Sequence, residues 1–343
     1  MSSEQLAAAG DAVTSEALAI ALAAQGAEAA DCVQQLRRLS GGANMETWAF
    51  ELVLENSTQP LILRRSPLQP GQMGAAVSQL PLTAEAALLP LAAAEGVPVP
   101  EVLCILRPEE PLGPGYIMTR ERGEGLPGRI LADDRYTAAR SHLAEQCGAT
   151  LARLHRVTPA RLPREVPNQT LAERLDGHQQ LLDRYGNASP VHQLALNWLR
   201  KHAPTAEHHC LLHGDFRNGN LLVDEQGLVA VLDWELAHCG DPAEDLGYLC
   251  GNVWRFGYSD KPVGGFGDYA QLLAGYRAVA GWAPDLETIH YWEVFCALGW
   301  GLVCLTMIDL YRSGADATLE RAAVGRRVSE SELDLLLLLD GKL

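Results

Sequence analysis

Lysine is almost missing from this chain. Its 343 residues contain three, Lys201, Lys261 and Lys342, so arginine carries every permanent positive charge in the first 200 positions. A phosphate-binding loop of the G-x-x-x-x-G-K-[ST] kind is excluded there, and none occurs elsewhere. The eight cysteines include no C-x-x-C pair and mostly sit in apolar runs, which speaks against thiolate zinc sites. Reduced, buried thiols in a cytoplasmic protein are expected instead. No apolar run reaches the roughly 18 residues a membrane span needs. The nearest, VFCALGWGLVCLTMI from Val294 to Ile308, is closed by Glu293 and Asp309 and reads as a buried core helix. The opening MSSEQLAAAGDAVTSEALAIALAAQ has acids and no basic n-region, so a secretory signal is not expected. Positive charge is short overall, with 27 Lys and Arg against 43 Asp and Glu and a net charge of −16. Nucleic acid and anionic membranes are poor partners for such a chain. A cationic substrate would suit it, but acidity for solubility alone explains the balance as well.

What is present divides into two compositional halves. Residues 1–35 are alanine-rich and read as one or two short amphipathic helices. Trp48–Leu54 alternates in period two, ENSTQP reads as a turn, and LILRR as a second strand. A glycine-bearing loop, SGGAN, precedes this hairpin. TAEAALLPLAAAEG is helical, with Thr83 as the expected N-cap, Gly96 as the stop, and Pro90 expected to kink or shorten it. VPVPEVLCIL and GYIMTRE supply two further strands. After the charged, glycine-rich RERGEGLPG, helical spacing takes over: Leu143, Cys147, Leu151 and Leu154, then Leu171–Tyr185, Val191–His202, Tyr269–Val279, His290–Tyr311 and Glu330–Asp340. Ser329 and Glu332 form a capping-box pattern ahead of the last. The strong strand signals in this half are LLV and LVAVLD, joined by DEQG. The expected fold is α+β and bilobal: a small antiparallel sheet lobe over 1–119, a hinge at 120–125, and a helical lobe over 126–343.

The chemistry concentrates in LLHGDFRNGNLLVDEQGLVAVLDWE, Leu211–Glu235. Asp215 lies in a loop before a strand, Asn220 at the strand entrance, and Asp233 at the end of the return strand. A tight hairpin brings its ends together, so Asn220 and Asp233 should face one space. A carboxylate and an amide oxygen suit Mg²⁺, which keeps waters and shares substrate phosphates. Asp215 is then free to orient a hydroxyl and accept its proton. Phosphoryl transfer from ATP asks for this division. An aspartate ending a strand is more often a cap, and a lone HGD means little; the full H-G-D-x-x-x-x-N, hairpin, D-W-E order is far more specific. A zinc reading of His213 with Asp215 lacks further ligands at zinc spacing, and His213 reads as a structural residue of the loop.

These motifs, with VLDWELAHCGDPAEDLGYL and RRLSGGANMETWAFEL, resemble the aminoglycoside phosphotransferase and choline kinase-like branch of the protein-kinase-like fold. Its acyl-CoA dehydrogenase-associated members are the most similar in look. The resemblance covers nearly the whole chain and implies a soluble small-molecule kinase using ATP and Mg²⁺. It implies Asp215 as the catalytic aspartate, Asn220 and Asp233 as metal ligands, and Ser40, Gly41 and Gly42 in the loop over the phosphates. It further implies Glu85 as the helix glutamate, Met118, Thr119 and Arg120 as the adenine-pairing segment, and Asp241 and Asp245 as structural residues, Asp245 buttressing the catalytic loop.

Two departures from the wider kinase pattern matter. The strand lysine that grips phosphates is absent, and Arg64 is the expected substitute, with Arg65 on the opposite strand face as the alternative. Gly214 stands where protein kinases carry the arginine of H-R-D, and D-F-G and A-P-E are missing, so control by loop phosphorylation is not expected. Glu235 either reaches the metal or is structural. The acceptor is a small-molecule hydroxyl, with hydroxyacyl-CoA or hydroxy acid as the first reading, and Arg120, Arg122 and Arg129 available to a CoA phosphate. An aminoglycoside- or choline-type alcohol, met by Asp260, Asp268 and Asp309, is the second. A silent ATP-binding module is the third.

Overall fold

The computed structural model describes residues 13–24, 33–39, 45–55, 57–66, 80–108, 110–186, 189–205 and 208–342. The loop Ser40–Asn44, and with it Ser40, Gly41 and Gly42, lies outside the described residues.

The first lobe is a five-stranded antiparallel sheet. Its elements are α1 (Ser15–Ala23), β1 (Val33–Arg38), β2 (Glu46–Leu54), β3 (Ser57–Arg65), α2 (Leu82–Ala94), β4 (Val102–Leu106) and β5 (Gly115–Thr119), with sheet order β1-β2-β3-β5-β4. Phe50, Leu52, Leu61, Leu63 and Ile117 alternate inward and pack with Leu18 and Leu22 of α1 into a core of their own. Two expectations shift here. β1 begins at Val33, inside the span read as helical, and Ser57–Pro60 of the expected turn already belong to β3. The reason is register: β2 and β3 stay paired out to Leu54 opposite Ser57, so the connection is tighter than composition suggests.

Helix α2 starts after Pro81, with no side-chain cap, so Thr83 is inside the helix rather than capping it. The helix also continues through Pro90 to Ala94, and Gly96 follows in the left-handed region with φ 83°. Leu88, Leu89 and Ala92 on either side of the proline are buried in the main core, and that packing outweighs the lost backbone bond.

The second lobe comprises α3 (Pro127–Ala132), α4 (Thr137–Leu154), α5 (Leu171–Arg184), α6 (Pro190–Lys201), β6 (Cys210–Leu212), β7 (Leu221–Asp224), β8 (Gly227–Val231), β9 (His238–Gly240), α7 (Ala243–Cys250), α8 (Tyr269–Ala280), α9 (Leu286–Ser313), α10 (Leu319–Gly325) and α11 (Val328–Leu339). By length and hydropathy α9 would reach across a membrane. It is instead the central helix of this lobe, burying Val294, Leu298 and Leu302. The cysteines among the described residues are all buried and unpaired. The capping box expected at Ser329 is not formed: α11 begins at Val328 after Arg327, and Glu332 accepts the Ser189 hydroxyl at 2.6 Å instead.

Helices α4 and α8 cross through two glycines. A Cβ at Gly148 would meet the Leu272 carbonyl at 2.0 Å, and one at Gly275 would meet the Glu145 carbonyl at 2.0 Å. Both obstacles are backbone, so Gly148→Ala should force the helices apart. We expect a loss of about 1–3 kcal/mol, read as a lower midpoint in urea denaturation. An unchanged midpoint would show that the crossing can yield.

Candidate active site

Strand β6 delivers the chain to His213, Gly214 and Asp215. The loop is fixed from below by Asp245, in the first turn of α7, whose carboxylate accepts the backbone N–H of His213 (2.8 Å) and of Gly214 (2.9 Å) and lies 3.3 Å from His155 Nε2. Burial opposes the Asp245 charge, but His155, His213 and those N–H groups outweigh it and hold the carboxyl below its usual range. Gly214 has φ 77°, and a Cβ there would fall 2.2 Å from the Leu236 carbonyl. Glycine is required on both counts. His213 is fully buried; its Nδ1 accepts the Asp215 N–H at 3.2 Å, so Nε2 carries the proton and donates to the Leu232 carbonyl at 3.0 Å. Burial pushes its pKa down, in keeping with a neutral structural ring.

Asp215 is nearly enclosed. Its Oδ1 accepts from Arg217 Nε at 3.0 Å, and its Oδ2 accepts from Asn220 Nδ2 at 2.6 Å. Burial pushes its pKa up, and Arg217, His213 and the Tyr248 hydroxyl counter that. Arg217 was not singled out from sequence, although it sits two positions past Asp215. Its guanidinium stacks 4.6 Å over Trp254, which holds the cation against the carboxylate. Nothing in the spacing alone revealed that platform.

The hairpin β7–β8 pairs Leu221 with Val231, and the Asn220 carbonyl accepts Leu232 N–H at 2.8 Å. Asn220 is thereby brought beside the residue preceding Asp233. With its Nδ2 committed to Asp215, the Asn220 amide oxygen is left as an acceptor. Asp233 has φ 67°, uncommon outside glycine, at the point where the strand turns sharply into Trp234 and Glu235.

Arg64 reaches this corner from β3. Its guanidinium lies 2.8 Å from Asp233 Oδ1, 2.9 Å from Glu235 Oε2 and 3.3 Å from Glu85 Oε1. Glu85, on α2, is also held by the Tyr116 hydroxyl at 2.9 Å. Burial works against the Arg64 charge, but the surrounding acids, Glu85 foremost, keep it firmly protonated. Glu235 is pushed up to about 7, by burial first and then by Asp233. Arg65 points the other way, to Glu46 at 2.9 Å and the Leu112 carbonyl at 3.2 Å. Strand alternation therefore settles which arginine faces the cleft. The two lobes also meet where Leu80 N–H donates to the Glu235 carbonyl at 3.0 Å.

Met118 and Thr119 end β5 and Arg120 follows it, all three half-buried. Thr119 N–H is spent on the Glu101 carbonyl and Arg120 N–H on the Pro60 carbonyl, both at 2.9 Å, so the donors of these two residues serve the sheet. Asp241 accepts Ala243 N–H at 2.9 Å at the start of α7. The residues expected to meet an amine are otherwise placed: Asp268 caps α8, Asp309 is 3.6 Å from Arg184, and Asp260 is exposed. Of the hinge arginines, Arg129 pairs with Glu124 at 3.1 Å, Arg120 lies 3.9 Å from Glu51, and Arg122 is exposed.

Beside Gly214, Glu235 and Tyr248 opens a cavity of about 490 Å³ between α5 and α9. Its size falls in the range of small-molecule sites, roughly 300–1,000 Å³. Among the described residues no group of three or more His, Cys, Asp or Glu side chains is arranged to hold a metal. Asn220 and Asp233 together offer the two hard oxygens that suit a cation completed by waters and phosphates.

A family model described as the phosphotransferase enzyme family, APH, matches residues 35–282. The chain belongs to this family. That family is one of phosphotransferases, and they use ATP with Mg²⁺. Acyl-CoA dehydrogenase family member 11 of Pongo abelii is 28% identical to it over 244 residues, 65% of this chain and 29% of that protein. The phosphotransferase spans less than a third of the length of such curated relatives. A Ralstonia eutropha protein provisionally assigned as an aminoglycoside phosphotransferase superposes with a TM-score of 0.73 at 21% identity, over 95% of this chain and 98% of that one. A thermostable mutant of aminoglycoside phosphotransferase APH(4)-Ia, in ternary complex with AMP-PNP and hygromycin B, superposes with a TM-score of 0.57 at 16% identity, over 90% and 94%. The bilobal kinase-like fold is thus the one expected.

Proposed function

We propose that this phosphotransferase moves the γ-phosphoryl group of ATP to the hydroxyl of a hydroxy acid or hydroxyacyl thioester. Asp215 orients the acceptor hydroxyl and takes its proton as the oxygen attacks phosphorus and ADP leaves. Asn220 and Asp233 hold Mg²⁺, which neutralises phosphate charge when bound. Arg64, positioned by Glu85, grips phosphate oxygens, and Arg217 stands ready beside the transferring group. The segment 120–125 serves as hinge between lobes 1–119 and 126–343, with adenine beside Met118, Thr119 and Arg120, where the N–H groups of Thr119 and Arg120 are already taken by the sheet. The loop Ser40–Gly42 covers the phosphates, and the enzyme works in the cytoplasm.

The observation that carries this reading is an apolar-walled cavity that reaches Gly214, the residue next to the buried, cation-held Asp215. That wall favours an acyl body over an aminoglycoside or choline. The test is ADP release from ATP and Mg²⁺ across hydroxy acids, hydroxyacyl-CoA thioesters, aminoglycosides and amino alcohols. Turnover of the first two classes is the expected result. Turnover confined to amines, or nucleotide binding with no ADP from any acceptor, would overturn it.

A further inference from the structure

The cavity wall carries more information than its apolarity. Leu181, Phe295, Leu302, Val303 and Met307 are among its apolar side chains. Both acids present already sit against a cation. Glu244 is gripped on both oxygens by Arg174, with Nη2 to Oε1 at 2.6 Å, and His238 Nε2 lies 3.3 Å away; Glu235 is held by Arg64. An ammonium group entering here would compete with Arg174 for Glu244 and with Arg64 for Glu235.

Three buried ring nitrogens in the same wall make no hydrogen bond, and of these His238 Nε2 at least has Glu244 3.3 Å away, which leaves two. His178, on α5, stacks with its ring centroid 4.8 Å from that of Phe295, and its Nδ1 is buried without a hydrogen-bond partner. Trp300, on α9, has a buried Nε1 in the same condition. Leaving such an atom unpaired costs about 1–3 kcal/mol, and native proteins pair nearly all of them. Burial, and Arg174 after it, pushes the His178 pKa down to about 4, so the ring is neutral near pH 7. An indole nitrogen can only donate, and a neutral imidazole can donate through Nδ1. Trp300 therefore asks for an acceptor atom, and so does His178 in the tautomer that carries its proton on Nδ1; a carbonyl or carboxylate oxygen supplies one and an ammonium does not.

We propose that His178, together with Trp300, reads an oxygen on the acceptor molecule, making the cavity selective for apolar-bodied hydroxy compounds that bear a carbonyl or carboxylate. This assignment rests on the phosphotransfer proposed at Asp215. Neither residue touches the reacting atoms; they determine specificity by seating the far part of the acceptor.

The test compares hydroxydecanoate and its amide with a decanediol of matched length, using the full chain with ATP and Mg²⁺. His178→Phe keeps the ring packing on Phe295 and removes both nitrogens. The expected result is a KM for hydroxydecanoate and its amide raised about tenfold, with kcat, the KM for ATP and the diol kinetics changed less than about twofold. His178→Asn, which restores a nitrogen near the Nδ1 position, should recover most of the loss, and Trp300→Phe should raise the same KM values. An active wild type whose acid-to-diol KM ratio is untouched in His178→Phe overturns the His178 assignment alone. A wild type that phosphorylates no member of the series overturns this assignment and the acceptor class together.

Discussion

Asp215→Asn should lower kcat by about 10²- to 10⁴-fold, the range for losing a positioned general base. Nucleotide affinity, followed by calorimetric titration of Mg²⁺ with a non-hydrolysable ATP analogue, should stay within about threefold of wild type, because Asp233 and Arg64 are untouched. The substitution is not silent for the loop. Asp215 accepts from both Arg217 and Asn220, so an amide places a second N–H against one of those donors. The fold is insulated from this by Asp245, which anchors the loop backbone independently of the Asp215 side chain. Full turnover by the variant would remove Asp215 from the chemistry.

Arg64→Ala should damage both stability and activity. It strands Glu85, Asp233 and Glu235 around an empty corner, with Glu85 fully enclosed. Removing one partner of a buried ion pair costs about 3–5 kcal/mol, and the lower end applies because Asp233 and Glu235 retain some water contact. Loss of the phosphate cation should lower kcat/KM for ATP by about 10²- to 10³-fold. Arg64→Lys should regain most of the stability and part of the activity, since one ammonium cannot span three carboxylates as a planar fork does. Adding Glu235→Gln to Arg64→Ala should return part of the lost stability, which a double-mutant cycle in urea would measure. Wild-type stability and ATP kinetics in Arg64→Ala would mean that this cluster is neither structural nor part of the nucleotide site.

How far these sites could be read in the sequence depended on how local their geometry is. Asp215, Asn220 and Asp233 lie within one loop and one hairpin, so spacing and turn chemistry place them together. That Arg64 and Arg65 face opposite ways was legible from strand alternation, and the structure turns Arg64 toward Glu85 and Asp233. Arg217 was not, since its role depends on Trp254, a ring supplied by a distant segment. The cavity was invisible for the same reason: His178, Glu244, Phe295 and Trp300 come from three helices far apart in order. Local rules failed where tertiary packing decided the outcome. Pro90 was tolerated because its neighbours are buried, Glu332 was drawn away from its own helix by Ser189, and β6 and β9 are too short to announce themselves by periodicity.

In the proposed site a guanidinium rather than an amine holds the triphosphate, and this has a practical consequence. Acyl-phosphate nucleotide probes label kinases by acylating the amine beside the bound phosphates. Arg64 stays protonated and is no nucleophile, and no lysine precedes Lys201 to take its place. Activity-based surveys built on that reagent will pass over this enzyme even when its nucleotide pocket is full.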